Sequence, residues 1–306
     1  MKKPVNTPYE IRSVAQFHQL MQLPPCAHPL ISIVNFESIK HLNNVIPKSF
    51  QFGFYSIWLK KNFQGKMKYG QNDYDFDEGI MSFFSPGQVI TNIPSGELNH
   101  SGWWLIIHPD FLWNFPLAKV INNYGFFSYA VHEALHLSEQ EEQVVSGIME
   151  SIKNEISSRM DNFSQRVIIS QIELLLNYAD RFYHRQFITR RIVNHDLLSR
   201  LDELLNDYFD SGKVSELGLP AVQYLSDKLH ISPNYLSDLL RTQTGQSTQQ
   251  HIHNKLIEKA KLKLSTTKLS ISEIAYELGF EHSQSFSKLF KSKTNLSPGE
   301  FRHSFN

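Results

Sequence analysis

Cysteine is almost absent from this chain of 306 residues, and Cys26 is the single one. One thiol cannot build an intramolecular disulfide framework or a cysteine-rich zinc site. Long apolar runs are missing too. The most hydrophobic stretch, 102–115, is interrupted by His108, Pro109 and Asp110 and is too short to cross a bilayer, so no membrane partner is expected. Lys2 and Lys3 are not followed by the apolar run that a secretory signal needs, and the chain is read as cytoplasmic. An excess of charge of either sign is also lacking, because 30 Lys and Arg balance 30 Asp and Glu.

That balance hides an asymmetry. From Lys213 onward there are twelve Lys and Arg against eight Asp and Glu, so this part is +4 and the preceding part is −4. A basic module beside an acidic one is the pattern of a nucleic-acid binder that carries a separate domain with another task. The length is sufficient for two domains with cores of their own.

Within the basic part, residues 221–302, a short helical pattern is written twice about fifty residues apart. The first copy has Leu225, Ser226, Leu229, His230 and Ile231, then Leu236, Ser237, Leu239, Leu240, Arg241, Thr244 and Gly245. The second has Ile274, Ala275, Leu278, Gly279 and Phe280, then Phe286, Ser287, Leu289, Phe290, Lys291, Thr294 and Asn295. Each reads as helix, turn, helix. Ser226 and Ala275 are small where two helices cross closely. His230 and Gly279 stand where the chain must turn through a left-handed residue, which Gly adopts freely and His occasionally. Ser232 before Pro233 is a helix start. In the second copy, Glu281 or Ser283 is expected to cap.

Each second helix has an apolar face and a polar one. Asn234, Tyr235, Ser237, Asp238 and Arg241 line the polar face of the first, and His282, Ser283, Gln284, Ser285, Lys288 and Lys291 that of the second. Asn, Gln, Ser and His can hydrogen-bond base edges in a major groove, while Arg and Lys reach phosphates. These eleven residues are the candidate contacts to double-stranded DNA. Between the copies, Ile252, Leu256, Ile257, Ala260 and Leu264 mark one helix over about 248–264, flanked by Lys255, Lys259, Lys261 and Lys263. At 1.5 Å per residue it is a strut of roughly 25 Å, suited to holding two reading heads about one turn of DNA apart.

The stretch resembles the DNA-binding domain of the AraC/XylS family of bacterial transcription regulators. Ile274-Ala275, Gly279-Phe280, Phe286-Ser287, Phe290-Lys291, Ser297-Pro298, Phe301 and Arg302 fall where that family's C-terminal signature places them. His230, Leu240 and Asn295 depart from it, standing where the family usually has Gly, Phe and Gly. The resemblance implies two recognition helices, 233–242 and 282–292, in successive major grooves. It also implies RNA polymerase as a partner and a homodimer formed through the N-terminal part.

The first part of the chain reads differently. Residues 1–30 carry five prolines and one helical piece, Val14 to Met21, and are expected to form an arm. Short β-rich runs follow at 31–36, 50–59, 67–69, 80–84 and 102–108, separated by turn signals. They suggest an antiparallel sandwich or barrel, and the resemblance favours a small cupin-like jelly roll. Tyr55, Trp58, Phe83, Phe84, Trp103 and Trp104 could line an effector pocket there or fill the core. Metal-binding cupins place a His-x-His pair on a strand. The first such pair here, His251 and His253, falls on the strut helix where i and i+2 point apart, so neither metal nor cofactor is expected.

From Ser138 the chain is helical. Val145, Ile148, Met149, Ile152 and Ile156 make one stripe, Val167 to Phe182 a second, and Leu197 to Tyr208 a third. The first two stripes can pack within the chain or against a second copy. Residues 161–162 and 189–194 are linker candidates.

The expected class is therefore α+β, an N-terminal cupin-like β-sandwich with a helical segment followed by an all-α double helix-turn-helix domain. The expected domains are 1–160 for effector binding and dimerisation, 161–193 as a helical connection and 194–306 for DNA. The expected function is a sequence-specific DNA-binding regulator of transcription gated by a small-molecule effector. A competing motif exists. His132-Glu133-x-x-His136 matches the pattern of zinc hydrolases, which need both imidazoles on one helical face with the glutamate as base. Here Ser138 and Glu141 start the helix only after the motif, so the two histidines are not expected to share such a face.

Overall fold

The computed structural model describes residues 8–42, 49–61, 67–69, 72–74, 79–91, 101–159 and 161–304. Contacts divide the chain into two compact units, Met1–Gln186 and Phe187–Asn306.

The first unit contains strand β1 (Tyr9–Ile11) and helix α1 (Val14–Leu20), so the described part of the expected arm carries a strand as well as a helix. The strands β2 (Ile31–Asn35), β3 (Ser49–Phe52), β4 (Tyr55–Lys61), β5 (Met67–Tyr69), β6 (Asn72–Tyr74), β7 (Ile80–Phe84), β8 (Val89–Thr91) and β9 (Ser101–Ile107) follow. The run expected over 50–59 is two strands, broken at Gly53, whose N–H bonds the carbonyl of Ile11 at 2.8 Å. A short helix α2 (Leu117–Val120) and 3-10 turns lead to strand β10 (Leu135–His136), then to helices α3 (Glu139–Ser157) and α4 (Ser164–Thr189). One sheet has the order β1-β3-β8, a second β10-β7-β4-β9-β2, and a two-stranded ribbon pairs β5 with β6. All pairs are antiparallel except β1 with β3.

Between the two larger sheets lies a core of Ile11, Phe17, Phe50, Phe52, Trp58, Phe84, Trp104 and their neighbours. The buried Ser56 hydroxyl accepts both indole N–H groups, from Trp58 at 2.9 Å and Trp104 at 2.6 Å. Strand alternation splits the six aromatic residues that could have lined one pocket. Trp58, Phe84 and Trp104 point into this core, while Phe83 turns the other way onto Phe126, Phe127 and Tyr183. Tyr55 packs on Phe127, and Trp103 lies under the Lys153 ammonium at 4.9 Å. They are core and sheet support on two faces.

The second unit contains α5 (Arg191–Asp210), α6 (Lys213–Leu217), α7 (Val222–Leu229), α8 (Pro233–Thr244), α9 (Thr248–Thr266), α10 (Ile271–Glu277), α11 (Ser283–Thr294) and α12 (Pro298–His303). Residues 191–194, expected in a linker, already belong to α5, and Arg190 alone separates it from α4. Serine caps explain several boundaries. Ser247, Ser270 and Ser297 each start a helix by accepting the N–H three residues on, and Gln250, Glu273 and Glu300 return the bond. Those backbone bonds hold the Glu273 and Glu300 carboxyls below their usual range.

Two cores result. Leu201, Leu205, Leu225, Leu229, Leu236, Leu240 and Ile252 form one around α7 and α8. Tyr208, Phe209, Leu256, Ile257, Ala260, Leu264, Ile274, Ala275, Phe286 and Phe290 belong to the other, around α10 and α11. Helices α5 and α9 contribute to both. Two rigid elements shared between two packed cores fix one helix pair relative to the other, because sliding either element would open both cores.

Candidate nucleic-acid interface

The turns of the two repeats are alike bond for bond. After α7 the N–H of Ile231 reaches the carbonyl of Ser226 at 3.0 Å and that of His230 reaches Asp227 at 3.3 Å. After α10 the N–H of Phe280 reaches Ala275 and that of Gly279 reaches Tyr276, both at 3.0 Å. This is the Schellman arrangement, in which a left-handed residue closes the helix end. His230 adopts it with φ 59° and Gly279 with φ 82°. Ser226 and Ala275, on the inner side of the turn, are fully buried. The second helices end alike: Gly245 and Asn295 are left-handed and donate to Arg241 and Lys291, each at 2.9 Å.

The starts differ. Ser232 accepts the Tyr235 N–H at 3.3 Å with Pro233 in the first turn of α8. In α11 the capping position falls on His282, without a side-chain cap bond, so neither Glu281 nor Ser283 caps. Ser283 already lies inside the helix, where its hydroxyl cannot fold back on the first turn.

The helical period puts Asn234, Ser237, Asp238 and Arg241 on one stripe of α8, and Gln284, Ser287, Lys288 and Lys291 on the corresponding stripe of α11. Asn234, Arg241, Gln284, Lys288 and Lys291 are exposed, and Ser237 and Asp238 are half-buried. His282, Ser283 and Ser285 flank the start of the second stripe; His282 and Ser285 are exposed and Ser283 is half-buried. Tyr235 and Ser237 are among the candidates engaged within the protein. The Tyr235 ring packs edge-on against Phe187 with centroids 5.1 Å apart, and the Ser237 hydroxyl lies 3.1 Å from that of Thr248. Ser287 was missed in the sequence reading, although its alignment with Ser237 in the repeat pointed to it.

Charge is distributed unevenly. Lys255 is buried between Asp202 at 2.8 Å and Glu258 at 3.0 Å, Lys259 bonds Asp210 at 2.7 Å, and Lys263 bonds Glu277 at 2.6 Å. Lys261 lies over the Phe301 ring. The strut's lysines hold the domain together, and the unit's excess positive charge is concentrated on α11. In α8, Asp238 faces Arg241 across 3.6 Å.

The His132 motif takes another form. His132 and Glu133 lie in a 3-10 turn, and His136 lies on β10, paired with Ile80 of β7. The buried Glu133 carboxylate accepts the Ala130 N–H at 2.6 Å, and Arg185 donates to the His136 carbonyl at 2.6 Å. The imidazoles share no helical face. Among the described residues no group of three or more His, Cys, Asp and Glu could hold a metal, and no described helix is long and apolar enough to cross a membrane.

Paired helix-turn-helix units with polar outer stripes define a DNA-binding transcription regulator, and the comparisons agree. Residues 225–304 match the model of a helix-turn-helix domain. The chain is 27% identical over 237 residues to the arabinose operon regulatory protein of Salmonella typhimurium, covering 71% of this chain and 75% of that one. With the Escherichia coli protein of the same name it is 26% identical over 304 residues, covering 90% and 89%. A solved C-terminal domain of the response regulator yesN from Fusobacterium nucleatum is 33% identical, covering 33% of this chain and 96% of that one, with a TM-score of 0.29. The chain is a DNA-binding transcriptional regulator, similar over most of its length to regulatory proteins of the arabinose operon. Nothing found supports the zinc-hydrolase alternative.

Proposed function

We propose that α8 and α11 enter successive major grooves of one duplex and read its sequence through Asn234, Tyr235, Ser237, Asp238 and Arg241 in the first and His282, Ser283, Gln284, Ser285, Lys288 and Lys291 in the second. The observation that carries this is the pair of matching polar stripes on two cores that share α5 and α9. In a gel-shift titration with genomic fragments, affinity is expected to fall steeply with salt as phosphate counterions are released. Gln284→Ala is expected to relax base preference in one half of the bound site only. A chain that shifts no fragment at low salt overturns the reading.

The domain division 1–160, 161–193 and 194–306 belongs to the same proposal. So do a small-molecule effector in the sandwich, RNA polymerase as a partner and action in the cytoplasm. Support for an effector of acidic character comes from Lys60, whose ammonium lies 4.9 Å over the Trp58 ring and whose pKa burial lowers to about 8. Dimerisation through the first unit is supported by Phe163, just before α4, and by Val167 and Leu174 on α4, which are exposed on one side while Ile168, Ile172, Leu175 and Leu176 are buried. Spacings of four and seven form a seam of the kind two helices bury against each other. Sedimentation equilibrium of Val167→Glu/Leu174→Glu is expected to give monomers where the native chain gives dimers. An unchanged mass would remove this seam from the interface.

A further inference from the structure

A groove of about 330 Å³ runs between α5 and α9 and reaches Thr244, the last residue of α8. That volume is in the range of small-molecule sites. Leu198, Leu201 and Leu205 make its α5 wall largely apolar, and the α9 wall is polar, made by His251, Asn254, Lys255 and Glu258. None of these residues is a candidate contact to DNA.

What the groove offers is negative charge and acceptors. The Lys255 ammonium lies between the carboxylates of Asp202 at 2.8 Å and Glu258 at 3.0 Å, and two carboxylates against one ammonium leave a net charge of −1. Both carboxylates stay largely exposed at the rim. The Thr244 hydroxyl gives its hydrogen to the Leu240 carbonyl at 2.8 Å and accepts the Gln246 N–H at 3.2 Å. His251 Nε2, 2.9 Å from that hydroxyl, is therefore the donor between them, and Nδ1 is left as an acceptor. Burial lowers the His251 pKa by more than the Asp202 carboxylate raises it, so the ring is neutral near pH 7 and keeps that lone pair. An anion meets net repulsion here, and the Asn254 amide already donates to Gln246 at 2.8 Å. A protonated amine meets the opposite.

We propose that this groove binds a small amphipathic ammonium ion, with its apolar body on the α5 leucines and its N–H groups donated to Glu258, Asp202 and the His251 imidazole. Because α5 and α9 belong to both cores of the unit, a ligand held between them stabilises both helix pairs together. The site lies within the second unit and is independent of any effector in the sandwich.

The test is isothermal titration calorimetry of the full chain with 2-phenylethylamine, against phenylacetate and 2-phenylethanol, which keep the ring and carry a carboxylate or a hydroxyl in place of the ammonium. The amine is expected to bind, the alcohol about fivefold more weakly and the acid not at all. Glu258→Gln, an exposed change that leaves Lys255 its bond to Asp202, is expected to weaken the amine about fivefold. Leu198→Trp, which fills the space along the apolar wall, is expected to abolish binding. Glu216→Gln on α6, which removes an equal charge outside the groove, is expected to change nothing. Amine binding that Glu258→Gln leaves unaltered, or that Glu216→Gln weakens equally, overturns the proposal even if Leu198→Trp fails to fold. So does an acid bound as tightly as the amine, or no heat of binding with the amine at millimolar concentration.

Discussion

A chain carrying both Lys288→Ala and Lys291→Ala binds all duplexes roughly thirtyfold more weakly than the native chain near physiological salt, and its plot of log affinity against log salt is shallower by about two. Each phosphate neutralised releases close to one counterion, and these two ammonium groups are the exposed charges on the α11 stripe. The control is the pair Lys259→Ala and Lys263→Ala. Those ammonium groups bond Asp210 and Glu277, so their loss is expected to lower thermal stability a little and leave the salt slope almost unchanged. Fluorescence anisotropy over a salt series measures both. Equal slopes for native and Lys288/Lys291 double-variant proteins would show that α11 does not meet the backbone.

Gly279→Ala is expected to cost the second unit about 3 kcal/mol, a large fraction of the stability of an ordinary domain. Two effects combine. At φ 82° any side chain is strained, and a Cβ built on Gly279 lies 2.5 Å from the carbonyl oxygen of Val214 in α6. The backbone there cannot yield cheaply, because Val214 belongs to the same core as Phe286 and Phe290. The equivalent turn in the first repeat already tolerates His230 at φ 59°. There His230→Gly is expected to stabilise by about 1 kcal/mol, relieving left-handed strain. Urea denaturation of the two variants gives opposite signs if the turns differ as described. A near-neutral Gly279→Ala would mean that α6 does not pack on this turn.

Much of the DNA-binding unit was legible in residue order. The repeat, the left-handed turn residues, the Ser232-Pro233 start and the small residues at the helix crossings are short-range signals. They depend on backbone conformations only a few residues long. The α9 span was read the same way, from apolar residues at helical spacing, and all five of them are buried. In the sandwich, the strand order was not legible. The parallel pairing of Tyr9 with Phe50 joins segments about forty residues apart, and a run of apolar residues does not say which strand it will meet. The six aromatic residues were visible as a group, but their division between two faces depends on the register of β4, β7 and β9.

By itself, then, the sequence determined the class of the protein and the two helices that carry its polar stripes, because helix, turn and cap are written in contiguous residues. Only the tertiary structure decided which charges remain on offer. Lys259 and Asp210 are 49 positions apart, and nothing local to either announces their 2.7 Å bond. Charge counted along a chain is blind to such pairing. Attraction to DNA is therefore expected from the lysines that folding leaves exposed, not from the full set that composition supplies.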